Sequence, residues 1–507
     1  MPSVLRRLSV LIPAPIAPLL ALVTALLAIY AVEFDGWSAD MASYLMTRNW
    51  VLGNDFSGLM PFHYRPPLLG ILLVPMTFVF GDLWGSKLLA ILSVLVFAWA
   101  VYVLARVWLG RKEAGIASTV AVLSPLTFDL VTGGYGSFLS VSCGLLLIER
   151  FIRAREGRRS DWWAMPVLSF LMVGINQTVP FLIGMVFVTM PKTWSMRGWG
   201  LLVASGIVAS LWLPFLAVNS TRAGLFYAQQ WEWWDFSYSR GWASEWLPVY
   251  VIVAGLATPA LILTQRWRPY FPIVLVFLIM LGVEHPHIGL NNIMARAQII
   301  APVFFGLTIA PSVTWAVARF HGIGLRAVLS VGGLLIATTA VVSGHATADN
   351  LNVINHDLKQ GIHWLGENAN EGDIVITHPH GVGWWLGGLT GLAWAPTWPW
   401  AAPLYYESEW QDIQCVLGWR ECAAEEATIA SWVIVDWNLV ARGFAHAHTT
   451  DVVWAYPRDR FDGTMGTLDL VWEQGGTQIY RILRPRIERT PANGRMWPWE
   501  RTGEINR

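Results

Sequence analysis

The sequence predicts an α-helical polytopic membrane protein of about eleven transmembrane helices, followed by a small α/β domain outside the membrane. Three observations carry this. First, the 507 residues are 55% hydrophobic and 13% charged, whereas a soluble domain carries about a quarter charged residues, so much of the chain must face lipid. Second, apolar runs follow one another from residue 10 to residue 343. Third, the short connections between them alternate between basic and non-basic.

A span needs roughly 20 apolar residues, with fewer tolerated among other helices. The runs lie at 10–32, 86–108, 114–131, 135–151, 162–175, 178–191, 198–217, 246–264, 270–284, 297–317 and 324–343, of which 162–175 and 178–191 are short. No small-residue cleavage site follows the first run, which is therefore read as a retained helix. With the N-terminus in the cytoplasm, the inner connections are Arg6-Arg7, "ARVWLGRK", "ERFIRAREGRR", "KTWSMR", "QRWR" and "ARFHGIGLR", all basic. The outer connections carry only Arg48, Arg65, Arg222, Arg240 and Arg296, which is the distribution expected of a positive-inside protein. The run "PPLLGILLVPMTFVFG" (66–81) begins with two prolines and, counted as a span, would put "ARVWLGRK" outside. It reads as a half-buried helix on the outer face.

The outer side then holds a first loop (33–85), a Trp-rich loop (218–245), "EHPHIGLNNIMAR" (284–296) and a C-terminal part. Two domains follow: 1–345, the membrane domain with its first outer loop, and 346–507, a small extracytoplasmic α/β domain. In the latter, "GIHWLGENANEGDIVITHPHG" reads as a helix, a turn at Gly372 and a strand over 373–377, and "ASWVIVDWN" and "TQIYRIL" read as further strands. Of three cysteines, Cys143 lies in an apolar run, and Cys415 and Cys422 can pair in an oxidising compartment. Zero net charge argues against nucleic acid as a partner.

The stretch "FDGWSADMASYLMTRNWVLG" (34–53) places Asp35 and Asp40 just beyond the first span, with Met41, Tyr44, Leu45 and Leu52 at helical spacing. By residue type alone, Asp40 is either a helix cap, worth about 1 kcal/mol, or a functional carboxylate. The order of motifs bears on the choice. "DMASYL", "NWVLGNDF" and "HYRPPLLGILLVPMTFVFG", followed by "LWGSKLLAILSVLVFAWAVYVLARVWLG", resemble the start of the GT-C superfamily of membrane glycosyltransferases. That superfamily includes the protein O-mannosyltransferases, the aminoarabinose transferases acting on lipid A and the oligosaccharyltransferases. "AVLSPLTFDLVTGGYGSFLS" is similar to their third and fourth spans, "LMVGINQTVPFLIGMVF" to their paired short helices, "NIMARAQIIAPVFFGL" to a late arginine before a proline-containing span, and "HWLGENANEGDIVIT" to the opening of their C-terminal domain. The resemblance covers nearly the whole chain and rests on the order of loose motifs.

Two departures narrow it. Many members carry a second acid about thirteen residues after the Ser-Pro, where this chain has Phe138 between Ser137 and Leu139, with Asp129 as the acid close by. The Trp-Trp-Asp motif of oligosaccharyltransferases finds only "HPHGVGWWLGGLTG" at the corresponding place, and "WWDF" (233–236) falls in a loop between spans. Transfer of a whole oligosaccharide to asparagine is thereby disfavoured.

The resemblance implies a polyprenyl-phosphate-linked sugar as donor, an acceptor hydroxyl on protein, lipid or polysaccharide, and inversion at the anomeric carbon. The phosphate leaves readily, so the harder task is to deprotonate the attacking hydroxyl, which a carboxylate in hydrogen-bond reach performs. The base would be Asp40, on an amphipathic helix lying in the interface, with Asp35 as helper or cap and Asp129 as a second acid. Arg65 and Arg296 are the candidate phosphate ligands, since a guanidinium fork matches phosphate oxygens. Tyr44, His63 and Tyr64 are candidates for contacts to the sugar or phosphate. No cofactor is certain. Glu284, His285 and His287 can offer three ligands to a divalent metal ion, against the reading of the same residues as an interfacial turn. The rival classes are a transporter, which would show related halves and mid-bilayer charges, and a non-catalytic assembly protein in which Asp40 only caps a helix.

Overall fold

The computed structural model describes residues 16–36, 39–53, 67–156, 162–176, 179–190, 195–212, 300–319, 354–370, 372–378, 381–396, 428–441 and 467–485, with parts of 332–345 and 412–416. These fall into two compact units, one holding residues up to Phe34 together with 87–214 and 233–349, the other holding 35–86, 215–232 and 350–507.

The first unit is helical. Its elements are α1 (Ala17–Glu33), then, after α2 and α3 of the second unit, α4 (Asp82–Trp108, its first five residues counted with the second unit), α5 (Arg111–Val122), α6 (Pro125–Arg155), α7 (Ala164–Ile175), α8 (Val179–Thr189), α9 (Met196–Ala209) and α10 (Ala301–Arg319). Among the described residues, three stretches, Asp82–Trp108, Tyr135–Arg155 and Ala301–Arg319, are long and apolar enough to cross a membrane. The expected spans at 246–264 and 270–284 lie outside the described residues, so the count of eleven rests on the sequence.

Small residues bring these helices together, as lipid-embedded packing favours. A Cβ added to Gly306 of α10 would lie 2.2 Å from the Ala117 carbonyl oxygen of α5, where Ala114, Gly115, Ala117, Ser118 and Ala121 form the buried seam. Gly144 of α6 accommodates Ile183 and Met172 in the same way, and Gly174 of α7 accommodates the indole of Trp212. Ser118 and Thr127 donate to the carbonyls of Ala98 and Ala121, each at 2.7 Å.

One boundary differs from the sequence expectation. The reading of separate spans at 114–131 and 135–151 puts the break near Gly133-Gly134. The helix instead breaks at Leu123-Ser124, with Ser124 extended (φ −94°, ψ 136°). Pro125 explains this: it has no N–H to give and pushes the preceding residue out of the helical region, while fitting the first turn of the next helix. Two glycines inside a well-packed helix lower its propensity without ending it. The result is one helix of 31 residues, about 46 Å long at 1.5 Å per residue.

The second unit joins two separate stretches of chain. From the first comes α2 (Ala39–Val51) and α3 (Leu68–Phe80). From the second come α11 (His356–Asn368), β1 (Ile374–His378), α12 (Gly381–Thr390), β2 (Ala393–Pro396), β3 (Trp432–Asp436), α13 (Trp437–Ala441), β4 (Leu468–Gln474) and β5 (Thr477–Ile482). The sheet order is β2-β1-β3-β5-β4, with β1, β2 and β3 parallel and β5 antiparallel to β3 and β4. The parallel strands β1 and β3 are buried along their whole length, as strands covered on both faces are. Ile374, Ile376, Val433, Val435, Tyr480 and Ile482 form the core.

Asn355 opens α11, its Oδ1 accepting from the Leu358 N–H at 2.7 Å. Gly372 (φ +85°) makes the expected turn into β1 and Gly475 (φ +57°) the β4–β5 hairpin, both in the left-handed region that glycine enters without strain. Cys415 is disulfide-bonded, and Arg484 donates both to its sulfur (3.0 Å) and to the buried Asp412 carboxylate (3.2 Å). Cys422 lies outside the described residues.

Helix α3 has thirteen residues, about 20 Å, which is short of the roughly 30 Å of a bilayer core. Leu69, Gly70, Leu73 and Thr77 are buried, while Ile71, Leu72, Phe78, Val79 and Phe80 are exposed. It is a half-buried helix, as its sequence predicts.

Candidate active site

Helix α2, which carries the first candidate carboxylates, is held from two sides. On one side is α3: a Cβ added to Gly70 would meet the Arg48 amide nitrogen and the Thr47 carbonyl carbon at 2.9 Å. On the other is α12 of the sheet domain. A Cβ on Gly388 would lie 2.9 Å from the Ala42 carbonyl oxygen, and one on Gly387 would lie 2.6 Å from the Met46 methyl. Just ahead of α2, Gly36 admits the rings of Trp385 and the side chain of Ile354 in the same manner. At Gly70 and Gly388 the approach is to backbone atoms, and there glycine is needed because a Cβ would force the helices apart.

The consequence is burial on every side. All residues from Met41 to Asn49 are buried, including the polar Ser43, Thr47, Arg48 and Asn49. The polar face that the sequence gives α2 packs against protein. Its polar groups are satisfied there, as burial demands. Asn49 donates to the Gly387 and Gly388 carbonyls at 2.8 and 2.9 Å, in the last turn of α12, where the Gly387 carbonyl also accepts from the Gly391 N–H at 3.1 Å. Its own Oδ1 accepts from Arg48 Nε at 3.0 Å. Arg48 forms a two-point ion pair with Asp82, with Nη2 3.2 Å from Oδ2 and Nη1 on Oδ1. A guanidinium so enclosed requires such a partner.

Asp40 is the second residue of α2, one place inside the helix start, and its side chain lies outside the described residues. Positions 40, 44 and 47 share one stripe of the helix by its 3.6-residue period, and Tyr44 on that stripe is buried. Asp35, five residues before Asp40, is half-buried and pairs with Lys359 of α11 at 3.2 Å. Such a partly exposed pair contributes little to stability, but it fixes where the carboxylate points.

The other candidates are not brought into view. Asp129 is in the second turn of α6, its side chain outside the described residues. His63, Tyr64, Arg65, Glu284, His285, His287 and Arg296 also lie outside them. Among the described residues, no group of three His, Cys, Asp or Glu is arranged to hold a metal ion. Phe138, at the place where the resemblance leads one to look for a second acid, is fully buried and packs edge-on against Phe97 with ring centres 5.1 Å apart.

Sequence reasoning missed Arg48, Asn49, Asp82 and Lys359 as parts of this neighbourhood. Arg48 stood out only as one of few outer cations, and "WWLGGLTG" only for its lack of an acid. A Gly-Gly pair within a helical stretch was the available signal, since helix interiors exclude glycine unless something approaches closely.

No protein-family model and no curated protein matches the sequence. Solved structures do match. The chain is similar in fold to ArnT from Cupriavidus metallidurans bound to undecaprenyl phosphate, with a TM-score of 0.55 at 12% identity over 91% of this chain and 96% of that one. The apo state of the same protein gives 0.52 at 12% identity, over 92% and 97%. An oligosaccharyltransferase from Archaeoglobus fulgidus in complex with Zn and sulfate gives 0.49 at 12%, over 90% and 73%. At such identity the likeness is one of fold, and for ArnT it extends over nearly the full length of both chains.

Proposed function

We propose that this chain, which has the GT-C fold of ArnT, is an integral-membrane glycosyltransferase that moves a sugar from a polyprenyl phosphate to an acceptor hydroxyl on the extracytoplasmic side. The observation that carries the reading is the coincidence of two independent facts. The fold agrees over nearly the whole chain, and the acid that the motif order singles out lies in the first turn of a helix whose residues 41–49 are all buried. A helix that only needed a cap would not need a glycine in close backbone contact on each side, Gly70 and Gly388.

In the reaction, the acceptor oxygen attacks the anomeric carbon as the bond from that carbon to the phosphate oxygen breaks. The acceptor proton passes to the Asp40 carboxylate, and the polyprenyl phosphate departs with the bonding electrons. One displacement inverts the configuration. Arg65 and Arg296 neutralise the phosphate, Tyr44, His63 and Tyr64 contact the donor, and Asp35 and Asp129 are auxiliary acids. Residues 1–345 carry this chemistry with the N-terminus in the cytoplasm, and 346–507 form the extracytoplasmic part that meets the acceptor, whether protein, lipid or polysaccharide.

The test is turnover of the full-length protein in lipid, offered a panel of radiolabelled polyprenyl-phosphate sugars and assayed for release of the lipid phosphate. One donor is consumed by wild type, and Asp40→Asn slows it by about 10²-fold or more, the size of a lost general base, at unchanged thermal stability. Turnover of no donor, or full activity in Asp40→Asn, overturns the reading.

A further inference from the structure

We infer that Asn49 and the Gly387-Gly388 pair are positioning residues for the proposed transfer, through which the C-terminal domain sets the place of Asp40. This rests on the reading of Asp40 as the base. The geometry is specific. Gly388 closes on the carbonyl of Ala42, two residues from Asp40. Gly387 closes on Met46, one turn further along. Asn49 locks the far end by donating to both glycine carbonyls at 2.8 and 2.9 Å, and Arg48 extends the lock to Asp82. A helix pinned at residues 42, 46 and 49 cannot slide or rotate on its axis without breaking one of these contacts. The position of residue 40 is thereby set by α12, more than 330 residues away in sequence.

Stability alone would not ask for this arrangement. An apolar seam would bury α2 as well, without the two polar residues and the close glycines. The cap by Asn49 has a directional requirement that leucine packing lacks, and direction is what a base needs. A shift of about 1 Å in a reacting group can lower a rate by about 10²-fold.

The experiment uses the full-length protein in lipid and compares wild type, Asn49→Ala, Gly388→Ala, Asp40→Asn and the two double variants Asn49→Ala/Asp40→Asn and Gly388→Ala/Asp40→Asn. The readouts are turnover, the donor KM, thermal stability and hydrogen exchange of the α2 amides. Asn49→Ala and Gly388→Ala are expected to lower kcat by roughly tenfold to a hundredfold, with the donor KM within about twofold and faster exchange in α2. In the Asp40→Asn background the same substitutions are expected to have no further effect on the residual turnover, because groups acting through one another are non-additive. A purely structural role gives equal losses in both backgrounds, and that result overturns the inference. So does wild-type kcat in folded Asn49→Ala beside an impaired Asp40→Asn. If Gly388→Ala does not fold, the Asn49→Ala pair of measurements decides alone. Full activity in Asp40→Asn, by contrast, removes the base assignment itself and is recognised separately.

Discussion

Arg48 and Asp82 show how far local sequence can mislead about a single residue. Their 34-residue separation fits no helical or strand period, so an arginine that reads as a lone outer cation proves to be a buried half of a pair. Removing the carboxylate leaves the guanidinium without its counter-charge. Asp82 is about one-third exposed, so water recovers part of the loss, and Asp82→Asn is expected to destabilise the protein by about 1–3 kcal/mol, read as a lower apparent melting temperature in lipid. Asp40 and Asp35 are singled out by motif order, and of the two only the Asp35 side chain is placed, against Lys359. Gly387 and Gly388 were not legible, because a glycine's role depends on what approaches it, and α2 lies far off in the chain. Phe138 is legible only as a departure: its ring fills core space against Phe97, which explains what it does there but not what replaced the acid.

Among elements, the helices followed hydropathy well, and their ends followed proline better than glycine. The break at Ser124-Pro125, set against the continuity through Gly133-Gly134, is the clearest case. In the sheet, β1, β3 and β5 were legible from their apolar content. Strand β2, "AWAP", is too short and too rich in alanine to register, and exists because β1 pairs with it. Strand β4 lies at the sheet edge with a largely exposed pattern, so its sequence carries little burial signal. The close crossing of α5 and α10 yields a test at this scale. Gly306→Leu must displace the Ala117 backbone and is expected to destabilise the protein by about 1–3 kcal/mol or more as an overpacked contact. Gly200→Leu, where nothing lies within 4 Å, is expected to be nearly neutral. Comparison of apparent melting temperatures and of yield in the membrane separates the two.

For the molecule as a whole, the fold class was legible from composition, because a chain with so few charges has no other way to satisfy its surface. The orientation argument stands on Lys and Arg placement alone. In sealed cells, Ser160→Cys is expected to resist a membrane-impermeant thiol reagent until the membrane is opened, whereas Thr502→Cys is expected to react at once. The reverse pattern would invert the proposed topology. What no sequence pattern disclosed is that residues 35–86 and the C-terminal part form one compact unit. That union has a temporal consequence. Asn49 and its glycine acceptors are 338 and 339 residues apart, and a ribosome adding about 5–20 residues per second needs roughly 20–70 s to cover that distance. During that interval α2 exists without α12, its buried arginine and asparagine lacking the carbonyls they are built to meet. The first loop is therefore made well before the helix that completes it, and a nascent chain of this kind has reason to be shielded until α12 arrives.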